Sequence, residues 1–233
     1  MIIEVVLFIL FLCAFAYYLF VSPSSQVFGR VNYRFDSVGK QIALTFDDGP
    51  NEPYTSQLLD VLKKYDIKAT FFVCGACVTR HPQTLRRIYS EGHEIGNHSH
   101  DHRLFHYLNQ KKYIAEVENT NEIIKNVTGT TTYLYRSPWL FRTRRLLKNI
   151  RSRNLLPVWG IFGSELEVLQ PSPESMARRA LKLSKPGTIL IFHDGKESVG
   201  GNRANTVSAI KLLIPALKEQ GFEFIALKQT VFK

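Results

Sequence analysis

Short apolar runs alternate with longer amphipathic stretches from residue 40 almost to the C-terminus, and this rhythm limits the fold more than any other feature. The runs at 41–46 (QIALTF), 69–73, 94–96, 133–136, 155–159, 188–192 and 223–227 read as strands. Between them, 55–65, 81–91, 110–127, 142–153, 174–184 and 203–220 carry helical spacing. Strands separated by helices must pair through crossovers, which makes the sheet parallel. Seven strands and six intervening helices predict an α/β fold: a distorted, incomplete (β/α) barrel with parallel strands. An open doubly wound sheet is the alternative. A length of 233 residues holds one such domain, and an apolar share of 45% supplies its core.

The chemically useful side chains cluster at the ends of those runs. Asp47 and Asp48 follow the first strand, and His98, His100 and His102 follow the third. Arg136 ends the fourth, and His193 and Asp194 follow the sixth. In parallel barrels the active site forms at the C-terminal ends of the strands, from different βα loops. Four separate segments therefore converge on one rim.

Two imidazoles four residues apart, His98 and His102, together with a carboxylate, make a common catalytic zinc set with a position left open. Cobalt, nickel and manganese are alternative divalent ions. Such an ion polarises a carbonyl and acidifies water. Neighbouring aspartates on an extended turn cannot both reach it, so one ligates and the other serves as base. A lone H-x-x-x-H is more often a solvated turn; the added Asp-Asp and distant His at equivalent strand ends favour the metal. His193 closes an apolar strand on the same rim and suits a proton donor, because imidazole titrates near neutrality. Gly49-Pro50 reads as turn chemistry.

TFDDGP at 45–50, NHSHDH at 97–102, RSPW at 136–139 and IFHD at 191–194 resemble, in order and spacing, the motifs of the NodB-like polysaccharide deacetylases (carbohydrate esterase family four). The resemblance spans most of the chain beyond residue 40. It implies a distorted (β/α) barrel and a metal-dependent hydrolase that releases acetate from N-acetylated amino sugars of chitin-like glycans, peptidoglycan or similar polymers. By position it implies Asp47 as base, Asp48, His98 and His102 as metal ligands, and Arg136 as the group orienting the base. It further implies Trp139 as a backbone oxyanion donor, His193 as acid, and Ile191, Pro138 and Trp139 as substrate contacts. Two departures stand out. The family's D-x-x-D-W is here Phe162-Gly163-Ser164-Glu165-Leu166, which leaves Glu165 as the candidate partner of the acid histidine, and Ser137 replaces a usual proline.

Ahead of the domain, residues 5–21 carry no charge and match the roughly 20 residues needed to cross a bilayer. No basic n-region or A-x-A-like site is present, so an uncleaved single-pass anchor is expected over 1–22 rather than a removed signal segment. A linker and lead-in segment over 23–39 and a catalytic domain over 40–233 follow. A wall-glycan substrate places that domain outside the cytoplasm. Arg30 and Arg34 behind the span, with Glu4 ahead of it, favour the cytoplasmic side. Both orientations stay open.

The formal charge of +10 favours anionic partners. Arg142, Arg144, Arg145 and Lys148 form a candidate contact for anionic lipid or polymer, beside the plainer reading of a solvated helix face. No reading motif points to nucleic acid, and none is expected as partner. Cys74 and Cys77 form a single C-x-x-C with no second pair, so packing leads over redox or zinc, and a disulfide outside the cytoplasm stays open. The alternative functions are a deacylase of a lipid-linked amino sugar at the cytoplasmic face and an inactive glycan-binding relative.

Overall fold

The computed structural model describes residues 2–164, 167–228 and 232. A long helix, α1 (Ile2–Phe20), precedes the domain. Then come β1 (Gln41–Asp47), α2 (Tyr54–Lys64), β2 (Thr70–Val73), α3 (Gly75–Arg80), α4 (Pro82–Ser90) and β3 (Glu94–Asn97). They are followed by α5 (Gln110–Thr128), β4 (Leu134–Tyr135), α6 (Arg144–Arg151), β5 (Leu156–Pro157) and β6 (Ile161–Phe162). The chain closes with α7 (Pro173–Leu183), β7 (Ile189–His193), α8 (Ala204–Glu219) and β8 (Glu223–Phe224).

Strand order is β5-β4-β3-β2-β1-β7-β6, and every pairing is parallel. β8 pairs only with the first residues of β1. The sheet curls into a half-barrel whose two edge strands, β5 and β6, are consecutive in sequence yet unpaired among the described residues. The segment before β1 lies at this gap: Asn32 bridges to Val158 and Arg34 to Thr188, with Val31 and Phe35 buried. The expected barrel is therefore present in its incomplete form.

A strand period of two sorts the side chains. On β1, Ile42, Leu44 and Phe46 face outward into the main core beneath the helices, as do Leu190 and Phe192 of β7. The intervening residues point into the barrel, where Ala43, Phe72, Leu134 and Ile189 form a smaller cluster. The helices close the outer layer because each carries one apolar stripe. α6, for example, buries Leu146, Leu147 and Ile150, and its N-cap Thr143 accepts a bond from the Leu146 amide at 3.1 Å.

Three expected strands are shorter than their apolar runs: Leu134–Tyr135, Leu156–Pro157 and Glu223–Phe224. Two elements escape the sequence pattern. α3 is a six-residue helix, and β6 is a two-residue strand between Gly160 and Gly163. Both glycines are needed for close approach: an added Cβ would lie 2.8 Å from the Ile189 carbonyl oxygen or 2.4 Å from the Phe192 ring. α6 begins at Arg144 rather than 142, because Arg142 turns inward.

Candidate active site

The inward alternation that fills the barrel also builds the site. Asp47 ends β1, paired in register with His193 at the end of β7, so their side chains stand side by side on the inner face. His98, one residue past β3, and Arg136, one past β4, take the same inward phase. These residues meet in a cavity of about 770 Å³ whose walls include Asp47, Asp48, His98, His102 and His193.

Arg136 is the central strut. It is fully buried, and its Nη1 donates to Asp47 Oδ1 at 2.7 Å and to Thr45 Oγ1 at 2.7 Å. Nε and Nη2 donate to the carbonyls of Val158 and Trp159, and the guanidinium lies 4.0 Å from the Phe72 ring centre. One oxygen of Asp47 is thus held, while Oδ2 stays on the cavity side, 4.0 Å from His98 Nε2. A buried ion pair with every guanidinium nitrogen engaged fixes orientation more than it adds stability.

Asp48 follows with a left-handed backbone (φ 75°), which turns its carboxylate toward the two imidazoles. Oδ1 lies 3.4 Å from His98 Nε2 and 3.2 Å from His102 Nε2, and Oδ2 accepts the Glu197 amide at 2.8 Å. His98 Nδ1 donates to the Arg136 carbonyl at 2.8 Å, which turns Nε2 toward Asp48. Although burial alone would raise it, the charges of the neighbouring histidines, His102 first, hold the Asp48 carboxyl far below the usual range. Burial lowers His102 to about 4, keeping it neutral near pH 7. Asp48, His98 and His102 place one donor atom each within 4.8 Å of the others. The buried Asp48 Oδ1 has no hydrogen-bond partner. An orphaned carboxylate oxygen facing the Nε2 atoms of two imidazoles fits a divalent ion.

On the adjoining wall, beside Asp47, His193 Nδ1 meets Glu167 Oε2 at 2.8 Å, and the His193 amide donates to Glu167 Oε1 at 3.3 Å. Thr206 Oγ1 donates to Glu167 Oε1 at 2.6 Å. Burial works to lower His193, yet the Glu167 charge and bond, followed by Asp48 and Asp47, bring it up to about 9. Phe162 stacks on its ring at 6.1 Å. Glu165 lies outside the described residues; the carboxylate on Nδ1 is that of Glu167, which the motif register passed over.

Asp194 faces away from this chemistry. Its Oδ2 accepts from Thr55 Oγ1 at 2.5 Å, and burial pushes its carboxyl up to about 7. Asn51 Nδ2 donates to its carbonyl at 2.9 Å. These bonds clamp the turn after β1 to the turn after β7. Gly49 is required there, since a Cβ would sit 2.0 Å from Asp194 Oδ2.

The other expected contacts divide. Trp139 stands at the cavity mouth, 47% exposed, with its ring 5.4 Å from His102 and a left-handed backbone (φ 60°). Ile191 does not line the cavity: it lies fully buried beneath, clustered with Trp159, Leu140 and Val31. Pro138 is buried in the same turn and is not a wall residue; Leu140 and Phe162 supply apolar wall in their place. The substituted Ser137 has a partner of its own, because its Oγ bonds the Tyr107 hydroxyl at 2.7 Å, and that hydroxyl also donates to the Pro138 carbonyl. Arg142 corrects the expected basic face: it is fully buried, lies 5.7 Å from the Trp159 ring centre and donates to the Ser22 carbonyl. Arg144, Arg145 and Lys148 remain exposed. Cys74 and Cys77 are free thiols in the core, packed against the carbonyls of His98 and Asp48.

Comparison with known proteins gives a consistent picture. The family model described as polysaccharide deacetylase matches residues 36–158. The chain is 34% identical over 206 residues to the chitooligosaccharide deacetylase of Rhizobium leguminosarum bv. trifolii, covering 84% of this chain and 95% of the relative. The solved Bc1960 peptidoglycan N-acetylglucosamine deacetylase superposes with a TM-score of 0.80 at 30% identity, covering 87% of this chain and 92% of that one. A family 4 acetyl xylan esterase from Clostridium thermocellum, solved in complex with a cobalt ion, gives 0.73 at 34% identity, covering 80% and 88%.

Proposed function

This chain belongs to the polysaccharide deacetylase family, and from that premise we propose that it is a metal-dependent hydrolase removing acetyl groups from N-acetylated amino sugars of a glycan. The observation that carries the reading is the pairing, side by side in one cavity, of an oriented carboxylate with a protonated histidine. Asp47 is held at Oδ1 by Arg136 and stays free at Oδ2, which suits a base that takes a proton from water. His193, kept protonated beside Glu167, delivers a proton to the departing amine. Without that proton the leaving group would be an amide anion.

Asp48, His98 and His102 are the residues that would hold a divalent cation, zinc by donor set, with cobalt as the first alternative. When bound, the cation supplies Lewis acidity toward a carbonyl oxygen and toward water. The Trp139 N–H is the proposed oxyanion donor, a role worth about 10²–10³ in rate in comparable sites. Leu140 and Phe162 offer the apolar surface for the acetyl methyl.

The related proteins name peptidoglycan and chitooligosaccharide substrates, and either class presents the acetamido group this cavity suits. Helix α1 is read as a retained membrane anchor, with residues 23–39 as lead-in and 40–233 as the catalytic domain. The test is acetate release by the full chain from N-acetylglucosamine oligomers, before and after chelation, beside Asp48→Ala. Acetate release that is lost on chelation, restored by zinc or cobalt and absent in the variant supports the reading. Release that survives both chelation and Asp48→Ala would sink the metal assignment. No release from oligomer or peptidoglycan by the metal-loaded chain would sink the activity.

A further inference from the structure

We propose that the active-site mouth is held at the surface of an anionic membrane and serves amino sugars carried there, rather than polymer free in solution. The proposal deepens the deacetylase reading and rests on it for the identity of the chemistry.

The first support is how α1 ends. Its 18-residue stretch Ile3–Phe20 has mean hydropathy 2.4 and none of it is buried, so it is long and apolar enough to cross a membrane. Nineteen residues at about 1.5 Å rise give about 28 Å, close to the roughly 30 Å hydrocarbon core. Tyr17 and Tyr18 mark its last turn, the level at which tyrosines favour the headgroups.

The helix end is not on a free tether. The Arg142 amide donates to the Phe20 carbonyl at 3.2 Å, and the Arg142 guanidinium donates to the Ser22 carbonyl. Phe20 stacks on Phe141 at 5.6 Å, and Phe141 packs on Tyr107 at 4.7 Å. Cleavage behind α1 would strip these contacts from a fully buried arginine, which argues for a retained anchor. Leu140, a wall of the active-site cavity, is two residues from Arg142, and two residues span at most about 7 Å. That distance matches the headgroup layer, about 5–8 Å per leaflet by difference of the two bilayer thicknesses.

The second support is what surrounds that exit. Arg144, Lys148 and Arg151 line a shallow cavity of about 520 Å³ with Gln26–Gly29, and no carboxylate is among its described lining residues. A basic face beside the helix exit complements anionic headgroups at about 1 kcal/mol per residue. The third is apolar. Phe105 and Leu108, 78% and 85% exposed, flank Tyr107, which packs on Phe141 beside the helix end, and half-exposed Trp139 stands at the cavity mouth. Aromatic and aliphatic side chains beside a basic face are the composition of an interfacial surface.

The two tryptophans allow a direct test. Trp159 is fully buried, whereas Trp139 is at the mouth. Full chain is reconstituted into phosphatidylcholine–phosphatidylglycerol vesicles, with or without a phospholipid carrying a nitroxide on its headgroup. The expected result is strong quenching of tryptophan emission that disappears in Trp139→Phe. Unquenched Trp139 overturns the proposal whatever the activity. In parallel, acetate release is compared between an N-acetylglucosamine oligomer coupled to a phospholipid in the vesicles and the same oligomer free. Presentation on the surface should favour the coupled oligomer by about tenfold or more, as an effective-concentration gain. Arg144→Glu with Lys148→Glu should reduce that preference by about fivefold or more, toward equal rates, leaving turnover of free oligomer unchanged. Equal rates on both oligomers overturn the substrate assignment. Quenching without acetate from either oligomer overturns the deacetylase reading and leaves the surface placement standing.

Discussion

The two walls of the active-site cavity are built by different means. The wall carrying Asp47, Asp48, His98 and Arg136 is fixed by strands and buried bonds: His98 and Arg136 are 2% and 0% exposed, and each bonds to a backbone carbonyl beyond its own strand. The adjoining wall depends in part on a loop, although His193 itself ends β7. The His193 side chain is 22% exposed, and its partner Glu167 comes from a short turn after the two-residue strand β6. Strand ends inherit their position from the hydrogen-bond ladder of the whole sheet, whereas the Glu167 carboxylate comes from a turn and is held by the bonds from Thr206 and His193. Loss of position should therefore be global on the first wall and local on the second.

The sharpest way to break this contrast is Arg136→Met. It strands the buried Asp47 carboxylate and should cost about 3–5 kcal/mol of stability, read by denaturant unfolding, together with activity. The double variant Arg136→Met/Asp47→Asn should recover much of the stability and none of the turnover. If Arg136→Met unfolds at the parent midpoint, the strut is not structural.

Next in size is His193→Ala, which should lower kcat by about 10²–10⁴ while leaving divalent-metal affinity and the unfolding midpoint near those of the parent. A large fall in metal affinity would mean that the two walls are not separable.

Glu167→Gln should be milder, about 10–100-fold in activity by analogy with partners of metal-site histidines. It also carries a signature that a merely structural role would lack. Removing the charge that brings His193 up to about 9 should move the basic limb of the pH–rate profile downward. Glu165→Gln should not move it. A shift with Glu165→Gln and none with Glu167→Gln would reverse the partner assignment.

The smallest effect is on the pH dependence of the metal-free protein. His193 is raised in the folded state, so its contribution is complete below pH 6.5 and is lost as pH rises toward and through about 9. His102 is depressed to about 4, so the folded state loses stability as pH falls from 6.5 toward 4, where the unfolded chain takes up the proton first. Unfolding midpoints across pH 4–10 should form a plateau near neutrality that falls on both sides. Metal should raise the plateau, because it binds the folded state alone.

What could be read in the sequence follows from the same physics. β1 and β7 were legible because their apolar runs are long and the alternation is strict. That alternation also places Asp47 and His193 on one face without any coordinates. Asp48, His98 and His102 were legible as a candidate ligand set because their residue types and spacing suit a divalent ion. Glu167 was not, since a turn has no period from which to choose between it and Glu165. The same holds for β6, too short to show a pattern, and for Arg142, which looked like its basic neighbours until α1 and Trp159 were found covering it. Ile191 has the inward phase, yet it lies two residues below the rim, where Leu140 and Trp159 close over it.

Local periodicity and side-chain chemistry suffice for the parallel α/β order, the strand-end convergence of aspartate, histidine and arginine, and the candidate metal donor set. Packing between distant segments settles which carboxylate meets His193, which apolar residues face the cavity and where the apolar helix leaves the domain. These depend on contacts between segments far apart in the chain, such as Arg142 with Ser22 and Glu167 with Thr206, and no short-range pattern encodes them.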